Sequence, residues 1–307
     1  MVTQTLPSNK VVSTDYDQAG KVTAVTGYSS LMAYAPHGGL KEMRLASGLW
    51  ENAWFNCRLQ PSMIGLGSTQ RSVPPLDSDW SSLKLEYNYR GDGGECKEKP
   101  IPINNNNGNV RFQNITVPDL FIPGLSQTYG YDALNRLQTA AETGNGDWAQ
   151  TYAYDRYGNR WVSANSGLTL SAQTPIDASW YNAANNRING YTYDDAGNQQ
   201  SIVGGTTFAY DAENRLRTVT RLGADTVTYD YDGEGRRVKK VVGANTTIYV
   251  YNALGQLAAE YESPRQATNG GRRYLTADHL GSTRLITDEV GAERSRHDYL
   301  PFGEDLP

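Results

Sequence analysis

One repeating unit constrains this chain more than any other feature. From Gln127 onward an aromatic residue, any residue and a tyrosine are followed by Asp or Asn, two variable positions, Gly or Asn, and then a basic or amide side chain. The clearest copies begin at Tyr129, Tyr152, Tyr191, Phe208, Tyr229 and Tyr249, and their second aromatics are Tyr131, Tyr154, Tyr193, Tyr210, Tyr231 and Tyr251. A degenerate copy at Tyr181, with Asn182, Asn185, Asn186 and Arg187, fills the long gap after Tyr152. Another opens the chain at Tyr16, with Asp17, Gly20 and Lys21. The period is about 20 residues, in the range where units stack as arrays rather than fold alone.

Each position in the unit has a physical role. Residues i and i+2 of a strand share a face, so the two aromatics of a copy stand side by side. The next residue is Asp132, Asp155, Asp194, Asp211, Asp232 or Asn252. Asp and Asn at the start of a turn accept hydrogen bonds from the backbone N–H groups ahead of them. Three positions later stands Asn135, Gly158, Gly197, Asn214, Gly235 or Gly255, residue types that tolerate positive φ. Gly20 and Asn185 are expected to do the same in the two weaker copies. The chain then re-enters a strand at Arg136-Leu137, Arg215-Leu216 or Gln256-Leu257. Arg136 and Arg215 are placed to lie across neighbouring tyrosine faces. The unit is therefore strand, tight turn, strand. A lone hairpin cannot bury its own face, so the array is the folding unit. The fold class expected is all-β, with repetitive antiparallel strands in a curved or spiral sheet.

Composition fits that reading. There are 21 Tyr against 5 Phe, and 31 Gly, which suits half-wet strands joined by tight turns. Net charge is −5 and no long basic run occurs, so the electrostatic footprint of a nucleic-acid binder is missing. No apolar run approaches the length of a spanning helix. Residues 1–10 do not read as a signal peptide. Cys57 and Cys96 are too few for a disulfide framework, and whether they pair is left open.

The segments YAYDRYGNR (Tyr152 to Arg160) and FAYDAENRL (Phe208 to Leu216) resemble the signature of the Rhs/YD-repeat family, which includes the teneurin-like YD shells. A second match follows the array. Asp278 to Thr287 reads DHLGSTRLIT, and Asp298 to Glu304 reads DYLPFGE. This is similar to the opening of the Rhs repeat-associated core, through Asp278, His279, Leu280, Gly281, Pro301, Phe302 and Gly303. Leu300 stands where family members often carry Asp. On this resemblance residues 1–126 hold degenerate YD-like repeats, with an Asn/Pro/Gly-rich loop at about 74–123. Residues 127–262 hold regular repeats, and residues 263–307 begin a truncated core-associated domain.

The resemblance implies part of a β-shell that encapsulates or presents a C-terminal toxin or other variable domain. Partners would be the rest of the parent protein and that domain, and the parent would be secreted or at the cell surface. The later family stretches R-D-x-E-T-G-L and G-R-F-x-x-x-D-P do not occur in the sequence, which reads as a fragment without catalysis. An adhesive module binding glycans or a partner protein is the alternative. An autoproteolytic core domain is the weaker one.

Asp278, Asp288, Glu289, Glu293 and Asp298 cluster near His279, and two of them would make a proteolytic pair only if geometry brought them together. Scaffolding is the favoured reading. His37, His279 and His297 lack metal-ligand spacing, so no metal and no cofactor is expected. Trp50, Trp54, Trp80, Trp148, Trp161 and Trp180 offer a sugar-stacking surface, but cross-strand packing explains them as well.

Overall fold

The computed structural model describes residues 1–70, 80–89, 106–118, 124–144, 146–252, 255, 257–263 and 272–306. Cys96, Gln256 and about half of the segment expected as a loop at 74–123 lie outside them; the described part of that segment holds two strands, Leu83–Asn88 and Phe112–Thr116, in place of a continuous loop. Cys57 is disulfide-bonded.

The described chain is all-β. Its one helical piece is a single 3-10 turn at Ala178–Trp180, started by Asp177, whose carboxylate accepts from Ser179 N–H at 2.8 Å. Every strand pair is antiparallel, and the order in each sheet is the order in the chain. The first sheet has thirteen strands: β1 (Val2–Thr5), β2 (Val11–Tyr16), β3 (Val22–Val25), β4 (Ser29–Tyr34), β5 (Leu40–Leu45), β6 (Trp50–Phe55), β7 (Pro61–Gly67), β8 (Leu83–Asn88), β9 (Phe112–Thr116), β10 (Leu125–Tyr131), β11 (Leu137–Thr143), β12 (Trp148–Tyr154) and β13 (Arg160–Ser166). The second has eight: β14 (Thr192–Tyr193), β15 (Gln199–Ile202), β16 (Thr206–Tyr210), β17 (Leu216–Thr220), β18 (Val227–Tyr231), β19 (Arg237–Val242), β20 (Asn245–Tyr251) and β21 (Leu257–Ser263). A three-stranded sheet follows: β22 (Tyr274–Ala277), β23 (Thr283–Thr287) and β24 (Glu293–Arg296).

The contacts divide the chain into two compact units. One holds residues 1–152, 164–168 and 271–307, and the other residues 153–163 and 169–270. The first has a hydrophobic core. Leu45, Leu66, Leu85, Ile115 and Leu125 from the long sheet close on Tyr274 and Leu285 from the three-stranded sheet. Leu66, Leu85 and Leu285 are fully buried, each contributing about 1.5–3 kcal/mol relative to exposure. Gly65 makes room for Trp80, since an added Cβ would stand 2.4 Å from its ring. Trp80 meets Trp54 edge to face at 5.5 Å. Glu51 on β6 has a carboxylate oxygen shut off from solvent without a partner. Burial pushes its pKa up to about 7, against a hydrogen bond to Thr276 that pulls it down.

The second unit is built differently. Among the described residues of β14 to β21 Thr206 is the one buried side chain, and most others are half-buried. This sheet is a single layer with two wet faces.

Candidate functional site

The repeated turn is the commonest local structure of the chain. In the copy at Tyr131, Asp132 N–H donates to Arg136 O at 2.9 Å and Asn135 N–H donates to Asp132 O at 3.0 Å. This is a three-residue hairpin loop whose last residue is left-handed, and it forces one bulge into the ladder. The register accordingly slips between Gly130 and Tyr131, between Ala209 and Tyr210, and between Asp230 and Tyr231. The positive φ falls at Asn135 (61°), Gly158 (89°), Gly197 (90°), Asn214 (61°), Gly235 (80°), Gly255 (75°) and Gly20 (77°). In the Tyr181 copy it falls at Asn186 (60°) and not at Asn185. That turn is one residue longer: Asn182 N–H reaches Arg187 O, and Asn186 N–H bonds back to Asn182 O.

The aspartate holds the loop. Asp132 Oδ1 accepts from Leu134 N–H and Arg136 N–H, both at 2.9 Å, and Oδ2 accepts from Arg136 Nε at 2.7 Å. Asp211 with Arg215 and Asp232 with Arg236 repeat this arrangement, and Asp155 and Asp194 use Asn159 and Asn198 instead. These carboxyls sit below their ordinary range. For Asp132 and Asp211 the chief cause is the backbone N–H of Arg136 and Arg215, and for Asp194 it is the side-chain amide of Asn198. In Asp155 and Asp232 burial pulls upward but the hydrogen bonds outweigh it. Asn252 begins its turn with an amide, accepting Gly255 N–H on its backbone carbonyl at 3.0 Å.

The second tyrosine ties one repeat to the one before. Tyr131 OH donates to Val110 O at 2.8 Å, Tyr181 OH to Arg160 O at 2.6 Å, Tyr231 OH to Leu216 O at 2.8 Å and Tyr251 OH to Arg237 O at 2.9 Å. Tyr34, Tyr89 and Tyr299 do the same with Val22, Pro61 and Thr283. Arg215 then lies over the Tyr231 ring at 5.1 Å, and Arg236 over Tyr251 at 5.2 Å. Tyr193 accepts Ile188 N–H at 3.1 Å on its hydroxyl. Tyr154 and Tyr210 hold the same place at the ends of β12 and β16. Spacing alone showed the face these rings share, but not the carbonyl that each hydroxyl reaches.

The same turn runs beyond the residues that advertise it. It closes at Asp278–Ser282, Asp288–Ala292 and Leu300–Glu304, with Gly281, Gly291 and Gly303 left-handed at 88°, 85° and 92°. It also closes at Leu6–Lys10, Ala35–Gly39, Leu45–Leu49 and Asn56–Gln60. The backbone hydrogen bonds make the loop, so Leu300 in place of an aspartate leaves it intact.

Within the first unit a cavity of about 410 Å³ lies between β9 and β10 on one side and the turns at Asp278 and Leu300 on the other. Arg284 is its buried cation. Its Nε donates to His297 O at 2.9 Å, one terminal nitrogen pairs with Asp298, and the other stands 3.7 Å from Asp278. Arg296 bonds the second oxygen of Asp298 at 2.6 Å. Asp278 and Asp298 are thus brought near each other, but with a guanidinium between them. An aspartic-protease pair needs two carboxylates that share a proton, and Arg284 occupies that place. His279 packs at 4.4 Å on Tyr87, and burial, opposed by Asp278, holds its pKa low. Phe302 meets Tyr152 edge to face at 5.0 Å, while Leu280 and Gly303 are exposed and Pro301 half-buried on the rim. Among the described residues no group of His, Cys, Asp and Glu could hold a metal ion. Nor, among the described residues, is any helix long and apolar enough to cross a membrane.

A row of buried amides behind the cavity was not read from the sequence. Gln127 Nε2 donates to Glu142 at 2.7 Å, and Tyr129 OH donates to Gln127 Oε1 at 2.7 Å. Tyr152 OH donates to Gln150 Oε1 at the same distance. The signal was present as a Q-T-Y-x-Y-D string at Gln127 to Asp132 and again at Gln150 to Asp155.

Residues 103–306 match the family model described as Teneurin YD-shell. The chain belongs to the teneurin YD-shell family. The tRNA nuclease WapA of Bacillus subtilis (strain 168) is 28% identical over 196 residues, covering 56% of this chain and 8% of that protein. The tRNA3(Ser)-specific nuclease WapA of Bacillus spizizenii is 29% identical over the same length and shares. The chain therefore spans less than a tenth of these relatives. The TcdB2-TccC3 crystal structure superposes with a TM-score of 0.68 at 17% identity, over 99% of this chain and 18% of that one. The Tc holotoxin pore of Photorhabdus luminescens gives 0.65 at 17% identity, over 99% and 17%. The solved structures share this chain's fold, and the family points to a structural role for this segment.

Proposed function

We propose that this chain is a wall segment of a shell that encloses a cargo domain carried by the same polypeptide, and that it contributes no catalysis of its own. The observation that carries this reading is the eight-stranded sheet, a single layer with two half-wet faces and no hydrophobic core. A compact binding domain gains its stability from a buried core. This sheet is held instead by turns and tyrosine clasps that link each repeat to the next, as a repeat array is. Such a layer suits a wall with solvent on one side and cargo on the other.

In this reading the partners are the remainder of the parent polypeptide and a variable C-terminal domain, and the parent is exported or displayed at the cell surface. One of the similar structures is TcdB2-TccC3 without its hypervariable C-terminal region, so a variable end is named in that protein. The nuclease activity named for the WapA relatives belongs to proteins of which this chain matches 8%. The core-associated segment from Asp278 to Gly303 serves here as scaffold, with Asp278 spent on its own turn and on Arg284.

The test is made on the full polypeptide that carries this segment. Electron microscopy should show a closed shell with density inside, and a protease should cut the enclosed domain far more slowly than the same domain made alone. A sheet open to solvent, with the downstream domain cut at the rate of the free domain, overturns the proposal.

A further inference from the structure

We propose that the cavity of the first unit binds an uncharged saccharide of roughly one or two rings. Its volume of about 410 Å³ falls in the range of small-molecule sites, which have mostly apolar and aromatic walls and a few convergent polar groups. Tyr129, Tyr131, Tyr299 and Phe302 supply the walls. The hydroxyls of the three tyrosines are already engaged, with Gln127, Val110 and Thr283. The rings are therefore fixed in place, with Arg111 over one face of Tyr131 and His297 stacked beside Tyr299, and what they leave toward the cavity is aromatic surface of the kind on which the C–H face of a sugar ring packs.

Two buried polar atoms among the described lining residues are unspent. Gln113 is 4% exposed; its Oε1 stands 3.4 Å from Tyr129 OH, whose proton is already given to Gln127 at 2.7 Å, and its Nε2 has no partner. A buried amide N–H left unpaired is destabilising, and a ligand hydroxyl or ring oxygen would remove that penalty. His279 Nδ1, also on the lining, is likewise without a partner. A sugar hydroxyl both donates and accepts, so one ligand type answers both groups.

The charges argue for a neutral ligand. Asp278 and Asp298 are matched by Arg284 and Arg296, with every nitrogen of Arg284 directed at one of these carboxylates or at His297 O. Among the described lining residues no free cation is left to hold a phosphate or carboxylate, and the unpaired imidazole is disfavoured as a cation by its burial. A phenylalanine side chain would fill the same walls but leave Gln113 Nε2 and His279 Nδ1 unanswered, and the single hydroxyl of a tyrosine would not answer both as the several hydroxyls of a sugar can.

The inference stands apart from the shell reading, and its test uses the 307-residue chain. Saturation-transfer NMR is run with glucose, galactose, N-acetylglucosamine, cellobiose and lactose, and with glucose 6-phosphate and N-acetyltyrosinamide as contrasts. At least one neutral sugar should receive saturation, with millimolar affinity and no gain from the phosphate. Gln113→Met keeps the volume and removes the donor, and should weaken binding at least fivefold. Phe302→Ala, on the exposed rim, should do the same and decides the matter if Gln113→Met does not fold. The proposal is overturned if no neutral sugar binds, if only N-acetyltyrosinamide binds, or if neither variant changes the signal.

Discussion

The tyrosine clasp can be tested at Tyr231. Its hydroxyl donates to Leu216 O at 2.8 Å, joining the end of β18 to the start of β17. Tyr231→Phe keeps the ring under the Arg215 guanidinium, so packing and the cation–π contact stay and what is lost is the hydroxyl, with its bond to Leu216 O and its contact with Arg237. A net hydrogen bond of this kind is worth about 0.5–1.5 kcal/mol. Tyr231 and Leu216 are both half-buried, so water will partly replace the donor and the effect should fall in the lower part of that range. Near 25 °C the range corresponds to roughly 2- to 12-fold faster local opening. Hydrogen exchange followed by mass spectrometry should show it in the peptides of β17 and β18, with little change in β1 to β4. Tyr16→Phe is the control, since Tyr16 is exposed and its hydroxyl makes no hydrogen bond among the described residues. The reasoning is refuted if Tyr231→Phe exchanges like the wild type in β17 and β18, or if the control loosens its own strands as much.

The other predictions follow from the turns and from buried acids. Gly235→Val should cost about 1–2 kcal/mol, from forcing a Cβ into the left-handed region, although open space surrounds that position. Gly235→Asn should cost clearly less, because Asn135 and Asn214 already hold φ of 61°; equal urea midpoints for the two variants would reject the turn argument. Asp132, Asp155, Asp194, Asp211, Asp232 and Asp288 are all held below the ordinary carboxylate value. Their contribution is therefore present above about pH 4 and lost as pH falls through their lowered values. Urea midpoints measured from pH 5 to pH 2 should drop, and a flat profile would contradict this. Glu51 has the opposite sign: with its pKa raised to about 7, its protonated form favours the fold, and stability is lost as pH rises from about 4.5 through 7. Glu51→Gln should remove that slope and stabilise the chain at pH 8 by about 1–3 kcal/mol, read from thermal or urea unfolding. With Arg284 between Asp278 and Asp298, the purified chain should keep its full mass on long incubation at acid and neutral pH; an internal cut abolished by Asp298→Asn would show that these acids do act.

The sequence by itself determined the fold class and the repeat. Strand alternation, an aspartate that caps its own turn and a glycine or asparagine three residues on are local demands of the backbone, and each can be read without knowing what lies nearby. It could not show that the turn at Leu300, or those at Leu6, Ala35 and Leu45, would close in the same way, because backbone hydrogen bonds need no signature side chain. Nor could it place the left-handed residue at Asn186 rather than Asn185, since adjacent asparagines tolerate φ > 0 equally and the strand register decides between them. The remaining features belong to tertiary structure alone. Arg284 meets Asp278 and Asp298 across turns, and Gln127 meets Glu142 across a ladder whose register is set by a bulge. Similar strands make a cored unit where a three-stranded sheet covers them and a thin, wet layer in the second unit. Burial depends on what packs against a face, and a strand's own sequence does not contain its neighbour.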